Sequence, residues 1–552
     1  MSITRRSSLK HIWAPYLLGA TALFTACSEE TTTAPPVAQA PLVAAVEAPS
    51  GPNLGVNPRG KTELEIDMSQ IYSPDLPEVF DHIDENIDQH VYNLQRWIQQ
   101  PSISNTGEGI QESAYMVEGF FDQLGCQETE VHDVGITEWG QQGNPVVYAK
   151  CDEGAEKTVV VYWMYDTMPV TQPDLWNYPP FEARIVEQPP FDKVIIGRGA
   201  NNSKGRQMAF WNAMMSIKAT TGKLPVNLIF VAEGDEERMS IGYRKFVREN
   251  PELFADADVM WGFGSSEGCV FVELITSGES WGRGPTYSNI HGGRKRNVDA
   301  PAWRHIKMLS TLVDETGNKV MIDGFYDDIV PLTEAEENIL REAAEGYDVD
   351  VAAERLGVAR FISDDPYEVV SMARAGTSMN LDGIWGGNMF EGGSGAILPN
   401  RIVSKHNFRY VPNQDGMDIV DKLRAHLDKH GYEDVEINVV GDVPWARMDE
   451  NNDLAQAVRS MRETFGAGNS EPILEETILG GYWPAYLFAG DVLDIPIAGG
   501  FVGGGGGSHA ANEYFIVEGA GNTYGMAGME KSIATAIYNY AGLNSPSDSS
   551  DD

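Results

Sequence analysis

Basic residues are scarce in this chain: its 552 residues carry 40 Lys and Arg against 81 Asp and Glu, a formal charge of −41. That balance opposes binding to phosphate backbones and anionic headgroups, so nucleic acid is excluded as a partner. Long apolar runs are equally sparse, and beyond residue 26 none is apolar enough to cross a bilayer. Cysteine is limited to Cys27, Cys126, Cys151 and Cys269. The last three leave at least one thiol unpaired within a monomer. There is no internal repeat. With 22% charged and 42% hydrophobic residues, disordered and fibrous classes are excluded as well. A chain this long exceeds what one core supports, which predicts two packed domains with unstructured ends. The acidity has two readings, a field that attracts cationic substrates or a solvated surface. The even spread of acids along the chain favours the second.

What is present begins with an export signal. Arg5, Arg6 and Lys10 precede a largely apolar run from Trp13 to Ala26. Leu23-Phe24-Thr25-Ala26-Cys27 resembles a bacterial lipobox, in which the cysteine thiol accepts a diacylglycerol. The expectation is a signal over 1–27 and a lipid anchor on Cys27. Ser28, in place of Asp, directs the expected localisation to the periplasmic face of the outer membrane. Residues 28–75 are rich in Ala, Pro, Thr, Ser and Glu without a period, which reads as a flexible tether, and 546–552 reads as a disordered tail.

The folded region opens with a helix carrying Ile83, Ile87, Val91, Leu94 and Ile98 on one face and a capping-type Asp81 near its start. Short β-rich runs, among them 158–162, 226–232 and 259–263, then alternate with helices over 208–220 and 241–249. This predicts an α/β fold with a mostly parallel central sheet covered by helices. A different pattern over 284–442 predicts an inserted α+β lid, leaving 76–283 and 443–545 as a discontinuous main domain. Antiparallel pairing of 126–134 with 145–151 would bring Cys126 and Cys151 together, as a disulfide or as two small buried hydrophobes.

Four segments with chemical content follow in order. Strand 159–162 runs into Trp163-Met164-Tyr165-Asp166. A glycine-rich loop reads Gly197-Arg198-Gly199-Ala200-Asn201-Asn202-Ser203-Lys204-Gly205. The strand ending at Ala232 leads into Glu233-Gly234-Asp235-Glu236-Glu237. Late in the chain, Gly503 to Gly507 precede Ser508-His509-Ala510-Ala511-Asn512-Glu513. Together these resemble the two-zinc exopeptidases of the carnosinase type, the amidohydrolase family that also contains aminoacylase, glutamate carboxypeptidase and succinyl-diaminopimelate desuccinylase.

The resemblance spans about residues 78–543 and implies the fold and a set of roles. Glu236 corresponds to the general base, Glu237 and His509 to metal ligands, and Asp166 to a carboxylate that orients a zinc-binding imidazole. The ligand positions are altered: Met164 stands for that imidazole, Asn202 for the aspartate that bridges two metals, and Gly264 for a further aspartate, with Glu267 nearby as an unaligned substitute. A neutral amide cannot balance two cations, so Asn202 is at best a weak ligand. The resemblance thus implies at most one divalent ion per subunit, zinc for preference, or none.

In the lid, Arg409 of Phe408-Arg409-Tyr410-Val411-Pro412-Asn413 corresponds to the anchor of a substrate carboxylate. Tyr287 replaces a histidine that reaches the partner subunit's site, with His291 as an unaligned alternative. Asn380 and Tyr482 complete the expected substrate-binding set, Tyr482 within Gly480-Gly481-Tyr482-Trp483-Pro484.

Two functions compete on these grounds. One is an exported hydrolase of amide or peptide bonds beside a free carboxylate, acting on a small peptide or N-acyl amino acid as a homodimer through the lid. The other is a non-catalytic periplasmic binding or scaffold protein using the same cleft. Different chemistry in the old site, such as amide transfer, is a third reading. Retained Glu236 and Asp166 favour catalysis, whereas the altered ligand positions favour binding.

Overall fold

The structure is a computed structural model and describes residues 53–392, 394–449, 451–466, 481–490 and 492–543. The expected signal, Cys27, most of the expected tether, Gly480 and the tail lie outside them. Among the described residues no helix is long and apolar enough to cross a membrane.

A six-stranded sheet organises the larger part. Its order is Ile497–Ala498, Val259–Trp261, Thr158–Met164, Asn227–Glu233, Val146–Cys151 and Glu128–His132. The first four strands are parallel, and Val146–Cys151 runs antiparallel to both of its neighbours, Asn227–Glu233 and Glu128–His132. All seven residues of Thr158–Met164 are buried, as expected of a parallel strand covered on both faces. Helices Leu76–Ile98, Gly205–Thr221 and Met526–Gly542 pack together over one face. Trp97 and Trp163 lie 5.6 Å apart at that junction, and Phe121 stacks on Phe230 at 4.4 Å.

The lid is a four-stranded antiparallel sheet in the order Ser378–Trp385, Arg401–Tyr410, Gly268–Ser277, Glu436–Val443. Helix Gly416–Lys429, with buried Ile419, Val420, Leu423 and Leu427, contributes to its core. The strand Gly268–Ser277 was expected in the main domain, since the lid was placed from residue 284. It belongs to the lid because its apolar alternation (Val270, Val272, Leu274) faces Phe408 and Ile419.

Two further expectations change. Residues 53–75 are not a free tether: Lys61–Thr62 pairs in parallel with Ala520–Gly521, Asp88 accepts the backbone N–H groups of Leu54, Gly55 and Val56, and Glu518 accepts that of Asn57. Half-buried Asp88 and buried Glu518, both elsewhere in the chain, supply the partners that this polar segment's own composition conceals. The first helix begins after Asp75, with Pro77 in its first turn, so Asp81 lies within it and does not cap it. Cys126 and Cys151 form a disulfide that closes the antiparallel pair at the sheet edge, and Cys269 is a buried free thiol.

Candidate functional site

In an open α/β sheet, ligand-binding loops gather at the carboxyl ends of the parallel strands, and the candidate residues do so here. Met164 is the last residue of its strand, and Asp166 follows it. Glu236 and Glu237 occupy a short 3-10 turn after Asn227–Glu233. Gly264 follows Val259–Trp261 at a φ of +87°, and His509, itself at +64°, ends the glycine run after Ile497–Ala498. A left-handed residue so close to the cleft explains why glycines lead into it: they let the backbone fold tightly round the site.

The centre is compact. Glu237 Oε1 lies 3.1 Å from His509 Nε2 and accepts from Asn202 Nδ2 at 3.0 Å, and that amide nitrogen is also 3.1 Å from His509 Nε2. Asn202 Oδ1 in turn accepts from the Ser203 hydroxyl at 3.0 Å. The hydrogen bond to Glu237 holds the His509 imidazole above its ordinary pKa. Asp166 has no imidazole to orient. Its carboxylate instead accepts the backbone N–H groups of Glu236 (3.3 Å) and Glu237 (3.0 Å), fixing the turn that carries the acidic pair. Burial, and then the Glu237 charge, push Asp166 up to about 8. Burial, followed by the charges of Glu237, Asp166 and Glu233, raises Glu236 well above the ordinary carboxylate range, against a smaller opposing pull from Arg409.

The loop frame depends on a residue to which the sequence assigned no role. Glu513 is fully buried, and its two oxygens accept from the backbone N–H groups of Gly199 (3.0 Å), Asn201 (2.9 Å) and Asn202 (2.8 Å) and from Arg198 Nη1 (2.8 Å). Arg198 Nη2 also donates to the His509 carbonyl at 3.3 Å. One carboxylate therefore ties the glycine-rich loop to the histidine loop. Its position at the end of the quoted His509 to Glu513 segment was the available signal.

A cavity of about 420 Å³ opens here, lined by Met164, Asn202, Glu236, Phe263, Tyr482 and Phe501 among others. Met164 thus contributes a thioether wall where the resemblance expects an imidazole. At the lid side, Arg409 Nη1 pairs with Glu267 Oε1 at 2.8 Å, and the guanidinium sits 4.6 Å from the centre of the Tyr482 ring. Glu267 is therefore engaged by an arginine and is not turned toward Glu237 and His509. Tyr287 stands 95% exposed on the lid, and Asn380 is exposed on the edge strand with its amide on Asp382. His291 accepts from the Gly293 N–H in a surface turn. Among the described residues, no group of three or more His, Cys, Asp or Glu is arranged to hold a metal ion.

With this geometry in place, comparison with known proteins identifies the class. The peptidase family M20/M25/M40 matches residues 164–524, and the chain belongs to that family. Among individual relatives, the chain is 28% identical to a Cys-Gly metallodipeptidase of Candida albicans over 386 residues, covering 64% of this chain and 75% of the relative. It is 26% identical to the human Beta-Ala-His dipeptidase over 423 residues, covering 71% and 80%. The solved Saccharomyces cerevisiae di-peptidase Dug1p superposes with a TM-score of 0.74 at 22% identity over 85% of this chain and 99% of that one. An M20 family metallo-carboxypeptidase of Sulfolobus solfataricus gives 0.67 at 28% identity over 82% and 100%. The central sheet with an inserted lid is the fold of this family.

Removing the Glu513 carboxylate leaves the buried Arg198 guanidinium unpaired and three loop amides without their acceptor. Glu513→Ala is expected to lower unfolding free energy by about 3–5 kcal/mol in denaturant titration. A loss below about 1 kcal/mol would show that the loops hold their shape without it.

Proposed function

We propose that this chain is an exported, peptidase-like hydrolase of amide or peptide bonds beside a free carboxylate, acting on small peptides or N-acyl amino acids. The observation that carries the reading is the clustering of Asp166, Glu236, Glu237 and His509 beside a cavity that Glu236 lines, in a chain whose relatives are named as dipeptidases. Glu236 serves as the base that takes a proton from the attacking water. Asp166 holds its turn in place. Arg409 receives the carboxylate of the ligand, and Tyr482 and Asn380 complete its surroundings.

The two divalent ions of metallodipeptidases do not suit the donors present. Glu237 and His509 satisfy each other directly, the Asn202 amide directs a hydrogen at Glu237, and Met164 and Gly264 offer no charged oxygen. With so little negative charge left among the ligands, two adjacent dications would repel each other, so the proposed stoichiometry is at most one weakly held divalent ion per subunit, zinc by preference. The second reading, a non-catalytic binding or scaffold protein, is favoured by the substitutions at Met164, Asn202 and Gly264.

Assembly and location complete the proposal. The lid's edge strand exposes Leu381 and Ile384, with Met389 and Phe390 exposed just beyond it. These features support a homodimer through the lid, in which Tyr287 approaches the cleft of the other copy. The amino-terminal sequence supports a lipid anchor on Cys27. Native mass spectrometry of protein from its own host should find two copies, each beginning at a diacylated Cys27. An intact Met1 or a monomer would contradict the corresponding part.

Glu236→Gln removes the base and preserves its shape. It should lower turnover of Beta-Ala-His or Cys-Gly by at least about a hundredfold while leaving their binding largely intact. Unchanged turnover removes Glu236 from the mechanism. Binding without turnover in the unsubstituted protein establishes the second reading.

A further inference from the structure

Arg409 lies on the lid strand Arg401–Tyr410, and its guanidinium is already occupied. Nη1 donates to Glu267 Oε1 at 2.8 Å, Nε donates to Asn407 Oδ1 at 3.2 Å, and one face of the group rests against Tyr482. Asn407 is itself held, its amide donating to both oxygens of Asp382 at 2.7 and 2.9 Å.

The backbone beneath Glu267 is equally fixed. Its N–H donates to Gly481 O at 3.1 Å. The neighbouring Ser266 hydroxyl both accepts from the Trp483 N–H and donates to the Trp483 carbonyl, while the Ser266 N–H donates to Ala446 O at 2.8 Å. Glu267 is thus built into place beside Arg409, and the pair keeps only partial contact with solvent, with 29% of the arginine side chain and 16% of the glutamate side chain exposed.

A guanidinium offers a planar fork suited to one carboxylate in two-point contact. Here an intramolecular carboxylate takes one arm and neutralises the charge. A ligand carboxylate arriving at Arg409 either displaces Glu267 or meets a like charge within a few ångströms, in surroundings that screen poorly. A neutral acceptor, such as a carboxamide, meets no such opposition.

We propose that Glu267 is a specificity-determining residue of this cleft, an internal carboxylate that competes with a ligand's free carboxylate for Arg409, so that Arg409 still receives that carboxylate but holds it less tightly than an uncontested arginine would. The inference rests on the reading of the cleft given above and deepens it. Under that reading the free carboxylate is a handicapped handle in this chain, and Glu267 is the cause.

The test compares Beta-Ala-His and Cys-Gly with their C-terminal amides by isothermal titration calorimetry. It uses the full chain carrying Glu236→Gln, so that turnover does not consume the probes. Adding Glu267→Gln keeps the shape and removes the competing charge. Affinity for the free acids should rise about tenfold or more, and affinity for the amides should change by less than about twofold. The unchanged amide affinity also reports that the variant is folded. Amide and acid affinities that keep their ratio on substitution overturn the proposal. If neither acid nor amide binds either protein, the reading of the cleft itself falls.

Discussion

The Glu513 carboxylate, buried where the glycine-rich loop meets the histidine loop, accepts three backbone amides and the Arg198 guanidinium at once. Everything at the centre of the cleft hangs from that connection. It fixes the backbone of Asn202 and, through Arg198, the carbonyl of His509, so the two side chains meet at 3.1 Å. Asp166 does the same for the Glu236 and Glu237 turn. Main-chain amides tolerate any side chain at these positions, so the backbone frame does not depend on which side chains Met164, Asn202 and Gly264 present.

Charge balance then decides what the frame can do. Asp166, Glu233 and Glu236 are all buried and all raised, and each of them counts a neighbouring carboxylate among the causes. The cations nearby are already engaged: Arg198 by Glu513, Arg409 by Glu267, and the His509 ring by Glu237. Each of these three groups has an internal acid, an arrangement that weakens its attraction for a ligand's carboxylate. Glu237 and His509 contact each other directly, at 3.1 Å.

Much of this was legible in the residues alone. The helix over 241–249 forms with the bounds its apolar period sets, and the buried strand after Lys157 shows as an unbroken apolar run. The ordered motifs placed Asp166, Glu236, Glu237 and His509 in one site because each follows a parallel strand or its connecting loop. The misses share a physical cause, which is that contacts between distant segments leave no local pattern. The ties of Glu513 to Gly199, Asn201 and Asn202 span more than three hundred positions. The Arg409 to Glu267 pair depends on antiparallel register that sets Arg409 opposite Cys269. The pinning of residues 53–75 by Asp88 and Glu518 is of the same kind, as is the place of Gly268–Ser277 in the lid sheet, set by pairing with strands from the far end of the insertion.

Under the proposed function, the family's frame surrounds a donor set that suits at most one ion. Elemental analysis of the purified full chain tests this directly, after equilibration with dilute zinc and dialysis into metal-free buffer. The account predicts no more than one zinc per chain before dialysis and its loss during it. Two zinc ions retained per chain would contradict it.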